Sequence, residues 1–365
     1  MPFNMDIVGA CENIRKEAET LAGENYAYNL KRKTGALDFI TSPENGGVDA
    51  SLISYDQGKK IASLKLLYDQ RTKPCQISTN CAQNVCDEGA SPLRKQAIID
   101  ISGCIKTPVR AYNNDDMVAL CKDTGAFMRD RGVHDIIAAH QKLSELILAE
   151  MDNQIGVNYE FDGTTTAAGA YKSIQLTLTS SSQKVPLPGN FAEVVLDYEN
   201  NQLNGQPAVI GQGILQQFYK LHDWSCCNAT TPYGEANVDS EARFYLDQAA
   251  NSVLGTNKFI LAAYRVLHLL TFNENRNIMI NDESQVHTVI PDPLGYPFDW
   301  NLDFYFDACD KQWKSMYSLT WGMFNIFQPD SFAGVGEDSS PDVSPDCADD
   351  LDGMLGVFGY TATTA

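Results

Sequence analysis

The chain has 365 residues, 44% of them apolar, and a formal net charge of −20. That is enough apolar material for one large core or two ordinary ones, and no uninterrupted apolar run reaches the roughly 18 residues of a membrane helix. The charge is uneven: residues 1–110 carry 14 basic and 13 acidic side chains, residues 111–365 carry 13 and 34, which argues against DNA binding through a basic groove.

The first residues show no basic stretch followed by an apolar one, so no secretory signal is expected, and the chain is expected to fold in a reducing cytoplasm. Residues 4–26 have a helical period, with Ile7, Val8, Cys11, Ile14, Ala18 and Leu21 on one stripe. Lys31-Arg32-Lys33 is the one short basic knot and reads as a solvated loop. From residue 36 to about 75, turn signals such as Pro43-Glu44-Asn45-Gly46-Gly47 punctuate short runs of Ile, Leu, Phe and Tyr. That pattern predicts an extended hairpin or loop with strand character. Residues 75–90 are polar and loop-like, and 95–112 read as two short strands.

Asn114, Asp115 and Asp116 are helix-capping types. The stripe Val133, Ile136, Ala139/His140, Leu143, Ile147 and Met151 then predicts a helix over about 114–155, long enough to act as a spine. Residues 157–190 read as strand and turn. Residues 208–222 predict a turn and then a helix, 241–255 a second helix, and 258–272 a strand followed by helix. The aromatic-rich 291–330 reads as strands, and the acidic 335–352 as a flexible loop or tail.

Ten cysteines are present. Cys75, Cys81, Cys86 and Cys104 are separated by five, four and seventeen residues, without the close pairs of a structural zinc site. They read as reduced thiols, with a metal site or late disulfides as the alternatives. His134-Asp135 is half of a metal phosphohydrolase signature, but no histidine precedes it. Gly211-Gln212-Gly213 lacks the third glycine of a dinucleotide fingerprint and reads as a tight turn. No nucleophile elbow, phosphate loop or metalloprotease motif is present. The aromatics Trp300, Phe304, Tyr305, Phe306, Trp313, Tyr317, Trp321 and Phe324 read as core or subunit interface. No catalytic, cofactor-binding or metal-binding residue is assigned, no cofactor is expected, and the chain is not expected to be an enzyme.

The order of elements resembles the major capsid protein of tailed bacteriophages. So do the stretches GQPAVIGQGILQQFYKL, ARFYLDQAANSVLGTNKFILAAYRVLHLLTFNENR and HTVIPDPLGYPFDWNLDFYFDACDKQWKSMYSLTWGMFNIFQPDSF. The likeness covers most of residues 1–334. It implies an α+β fold with an N-terminal arm (1–35), an extended β-hairpin loop with connecting strands (36–110), a peripheral domain with the spine helix (111–190), an axial domain with return strands (191–334) and an acidic C-terminal tail (335–365). It implies a virion subunit that assembles in the bacterial cytoplasm, as pentamers and hexamers, into an icosahedral shell enclosing double-stranded DNA without sequence-specific binding. Portal, scaffolding and decoration proteins would be its partners, and no membrane is involved. The alternatives are a tail-tube or head-decoration subunit, or a metal-dependent cytosolic enzyme using the thiols.

Overall fold

Apolar periodicity switches between helix and strand along the chain, and most elements follow those switches. The computed structural model describes residues 34–45, 53–56, 61–69, 94–112, 124–180, 183–186, 188–203, 205–213, 215, 218, 237–238, 242–273, 281–282, 285–325 and 355–364. The helix expected at 4–26, the basic knot at 31–33 and the acidic stretch 335–352 lie outside the described residues.

The described chain opens with a short helix, α1 (Gly35–Ile40). Strands β1 (Ile53–Asp56), β2 (Ile61–Asp69) and β3 (Arg94–Ile101) follow and form an antiparallel sheet of their own. Next come β4 (Gly103–Lys106), β5 (Arg110–Tyr112) and the long helix α2 (Thr124–Asn153). A two-stranded ribbon, β6 (Asn158–Tyr159) and β7 (Thr165–Thr166), leads to β8 (Tyr171–Ser180) and β9 (Gln183–Pro186). Helix α3 (Pro188–Asn200) precedes β10 (Ala208–Gly211), β11 (Asn237–Val238) and β12 (Ala242–Leu246). One turn of helix, α4 (Ala250–Val253), separates these from β13 (Lys258–Ala262), β14 (Leu267–Phe272) and β15 (Asn281–Asp282). Strands β16 (Gln285–Pro291), β17 (Asp299–Asp307), β18 (Gln312–Asn325) and β19 (Val357–Thr364) complete the fold.

Two larger sheets organise the body. One runs β11-β12-β10-β13-β19-β8-β9. The other runs β14-β18-β17-β16-β15, with β4 and β5 also paired to β18. The stripe predicted on α2 is its core face: Val133, Ile136, Leu143, Ile147 and Met151 are all buried. The described helix has 30 residues, about 45 Å at about 1.5 Å per residue. The segment 114–123 of the predicted helix lies outside the described residues.

Five expectations are corrected. Residues 36–40, placed in an extended loop, belong to a helix whose Ala36, Leu37, Phe39 and Ile40 are buried. Residues 208–211, read as a turn, are instead a strand paired with β12 and β13. Residues 242–246, predicted helical, are a strand. Ala242 and Phe244 alternate inward, and the segment pairs parallel to β10, so the period of two prevails over helix propensity. Residues 267–272, also predicted helical, are a strand laid along β18 after a turn in which Arg265 takes φ 64°. Leucine propensity for helix is weak against a full ladder of tertiary hydrogen bonds. Finally, residues 357–364, grouped with an acidic tail, are an interior strand between β13 and β8. Helix α3 has no counterpart in the sequence reading. Its Pro188 sits at the first helical position, so the Pro-Leu-Pro-Gly-Asn break is a helix start.

A buried carboxylate ties α1 to α2. Asp247, after β12, accepts the Ser144 hydroxyl (2.7 Å) and the Ala36 amide (3.1 Å) on one oxygen, and the Ala249 amide (2.8 Å) on the other. Ser144 in turn accepts the Leu37 amide at 3.2 Å. Burial pushes the Asp247 carboxyl above the usual aspartate value, and these hydrogen bonds oppose it. Asp247→Asn would present an amide donor to the Ala36 N–H, which cannot turn away. The expected loss is about 1–3 kcal/mol in denaturant unfolding; an unchanged midpoint would contradict this role.

Candidate assembly surface

The three-stranded sheet joins the body through the end of β3. Ser102 alone separates β3 from β4, and β4 pairs with β18 through Ile105↔Leu319 and Cys104↔Thr320. Ile101 is buried, and its backbone and side chain lie against Gly322 of β18. From that root β2 and β3 run together from Ala62↔Ile101 to Asp69↔Arg94. Strand alternation and register place Tyr55, Ala62, Leu64, Leu66, Ala97 and Ile99 on one face of this sheet. The opposite face is mixed: it carries Ser54, Asp56, Ser63, Lys65, Asp69, Arg94, Gln96 and Asp100 together with Ile61, Leu67 and Ile98.

The body beneath is locked by charge pairs. Arg110, on β5, holds Asp135 of α2 through Nε (2.8 Å) and Nη2 (2.5 Å). That fork is the geometry guanidinium and carboxylate share, and it accounts for the aspartate of His134-Asp135. His134 itself is exposed on α2. At the far end of α2, Lys172 of β8 lies 2.8 Å from both Glu160 and Asp197. Asp197 is fully buried and also accepts the Tyr360 hydroxyl (3.1 Å) and the Phe161 amide (3.1 Å). Asn158 donates to Tyr360, and Asn201 donates to Asn158. The network thus fastens β6, β8, α3 and β19 together.

For Glu160, burial raises the carboxyl, but hydrogen bonds from Lys172, Thr166 and Thr164 outweigh it and hold the group below the ordinary value of 4.5. A depressed carboxyl contributes stability that is present above its unfolded value and lost as pH falls through its folded value. Glu160→Gln should therefore be less stable than the native chain at neutral pH, and the gap should close as pH drops below 4.5. Urea melts at pH 7 and at acid pH check this; a pH-independent gap would contradict it.

The sequence candidates fall in scattered places. Cys75, Cys81 and Cys86 lie outside the described residues. Cys104 is exposed on β4, and Cys309 is exposed in the turn before β18. Among the described residues no group of three or more His, Cys, Asp or Glu could hold a metal ion. No described helix is long and apolar enough to cross a membrane. Gly211 ends β10, where a Cβ would lie 2.6 Å from Phe259, and Gly213 has φ +75°, so this pair serves close strand packing and a turn. Of the aromatic run, Trp300, Phe304, Tyr317 and Phe324 are core, while Phe306 is exposed beside Trp313. Sequence reading missed Phe161, Lys172 and Leu196. Lys172 finds its partners 12 and 25 residues away on other elements, a pairing no local pattern announces.

No protein-family model and no curated protein matches the chain. Among the solved structures similar to it are chains of capsids. A chain of the cyanophage A-1(L) capsid asymmetric unit is 11% identical, with a TM-score of 0.49 over 80% of this chain and 89% of that one. The capsid of the native GTA particle is 9% identical, with a TM-score of 0.45 over 90% of each chain. The capsid of Ralstonia phage GP4 is 9% identical, with a TM-score of 0.39 over 73% of this chain and 79% of that one.

Proposed function

We propose that this chain is the major capsid protein of a tailed bacteriophage, a non-enzymatic subunit that self-assembles into the icosahedral head shell around double-stranded DNA. The observation that carries this is the β1–β3 sheet, joined to β18 through β3 and β4 and richer in apolar residues on one face than on the other by its register. In a shell that face lies on the neighbouring subunit, and the long helix α2 is the spine beneath it. The β1–β3 sheet is then the extended loop, and the sheet built on β10, β12 and β13 belongs to the axial domain. The mixed architecture with a 30-residue helix fits a shell subunit better than a strand-built tail tube. Pentamers and hexamers repeat the same contact around closed symmetry, so each modest interface is multiplied. Portal, scaffolding and decoration proteins complete the particle, which is put together in the bacterial cytoplasm.

The test places charge on that face. Leu64→Lys with Leu66→Lys should leave the far-ultraviolet spectrum of the body unchanged and abolish particles in negative-stain microscopy. Particles indistinguishable from those of the native chain would sink the assignment of this face to a subunit contact.

A further inference from the structure

The Lys172 cluster brings an amine and two carboxyl groups into contact where solvent hardly reaches. Lys172 Nζ lies 2.8 Å from Asp197 Oδ2 and 2.8 Å from Glu160 Oε2. The Asp197 side chain is fully buried, and those of Lys172 and Glu160 are 12% and 11% exposed. The two oxygens of Asp197 are held differently. Oδ1 accepts the Phe161 amide at 3.1 Å, while Oδ2 accepts the Lys172 ammonium and, at 3.1 Å, the Tyr360 hydroxyl. Glu160 is oriented through its other oxygen, Oε1, by the Thr166 hydroxyl at 2.6 Å. The Phe161 ring lies over the amine, its centre 5.8 Å from Nζ. Strand β8, helix α3 and the β6–β7 ribbon thus bring a nucleophile, an acyl carbon and a carboxylate base into one hydrogen-bonded group.

We propose that Lys172 and Asp197 of one chain condense to an isopeptide bond between Nζ and Cγ, with loss of one water and with Glu160 as the proton carrier. This goes beyond the coat function and does not depend on it. The ion-paired cluster is the unreacted state. Burial favours the neutral amine of Lys172, but the hydrogen bonds to Asp197 and Glu160 outweigh it and hold the group above its ordinary value of 10.5. The neutral pair is therefore a minor state, reached when one proton passes along the 2.8 Å hydrogen bond from Nζ to Oδ2. The amine nitrogen then attacks Cγ of the carboxylic acid, and negative charge gathers on Oδ1, where the Phe161 amide already donates. Glu160 takes a proton from the nitrogen and hands it to Oδ2, which leaves as water while Oδ1 reforms the carbonyl. The Tyr360 hydroxyl, already donating to Oδ2, supports the leaving oxygen. No outside reactant is used, and Glu160 ends as the carboxylate it began. Between free groups in water this condensation is unfavourable, but groups fixed in contact reach effective concentrations of about 10⁵ M or more. The product clamps β8 to α3 across 25 residues of chain and constrains the unfolded state as a disulfide does.

The experiment follows the intact mass of the folded full-length chain during incubation at neutral pH. The native chain should lose about 18 Da, one water, and peptide mapping should place the link between Lys172 and Asp197. Lys172→Arg keeps the charge and lacks the nucleophile, so its mass should stay that of its sequence. Glu160→Gln should react about a hundredfold more slowly, because the proton carrier is gone. The reacted native chain should also unfold at a higher urea concentration than the unreacted one. If a variant fails to give a folded circular dichroism spectrum, the native chain held unfolded in guanidinium chloride takes its place as the control, and it should form no link. A native mass that never departs from the sequence, or a water loss that maps to other residues, would overturn the proposal. So would a link that forms equally fast in Glu160→Gln or in the unfolded chain. Each of these results leaves the coat function standing.

Discussion

A chain ending before Val357 should not fold. Strand β19 lies between β13, paired antiparallel through Lys258↔Thr361 and Ala262↔Val357, and β8, paired parallel through Gly359↔Tyr171 and Ala362↔Ile174. Val357, Phe358 and Tyr360 are fully buried, and Tyr360 stacks on Phe259 at 5.4 Å. Burying each large side chain contributes about 1.5–3 kcal/mol. Their loss, with the ladders on both sides, removes several kcal/mol from a total stability of about 5–15 kcal/mol. It also separates β8 and β9 from the rest of their sheet. Deletion of 357–364 should leave no cooperative unfolding transition in urea, and a truncated chain with a native-like transition would contradict the assigned topology. Replacing 335–352 by a short Gly-Ser linker is the matching control. Asn325, at the end of β18, donates to the Leu355 carbonyl at 2.9 Å, so the two ends of the intervening stretch are already together. That variant should unfold close to the native midpoint.

The second large effect is expected at Asp292. Its carboxylate is fully buried after β16, and the His140 Nε2 lies 2.5 Å from it. The Trp300 indole donates to the same oxygen at 2.7 Å, and the amides of Leu294 and Tyr296 donate to the other at 2.8 and 3.2 Å. A carboxylate only accepts, so His140 Nε2 carries the hydrogen. Tyr296, Phe298 and Trp300 surround the imidazole. Asp292→Ala would strand four donors in this apolar setting, at a cost of about 3–5 kcal/mol. Asp292→Asn should cost less, about 1–3 kcal/mol, because one oxygen still serves the two amides while Trp300 loses its acceptor. Denaturant titration of both variants gives the order directly. A harmless alanine would mean that the cluster does not join α2 to the β16–β17 hairpin.

What was legible in the sequence was local. The stripe on α2 could be read because its buried positions repeat at helical spacing. The strands β17 and β18 could be read from alternation, and the strand character of 53–69 from its flanking turn signals, though not the pairing of β2 with β3. The misread segments have patterns that only tertiary pairing resolves. Leu267-His268-Leu269-Leu270 is as good a helix as a strand until β18 supplies its ladder. Val357–Thr364 follows an acidic stretch, and its neighbours in the sheet are about 100 and 190 residues away in the chain. The Asp292 and Lys172 clusters were invisible for the same reason: each joins separate elements across long stretches of chain. Within the described residues, the long helix and the paired strands are the parts of the expected order with the strongest local signal.

In the function proposed above, copies of this chain close into a shell. Negative-stain electron microscopy of the full-length protein expressed alone, with light scattering on the same sample, tests it most directly. Closed shells, or rings of five and six subunits, are predicted. A monodisperse monomer at every concentration, with no rings or shells, would contradict it.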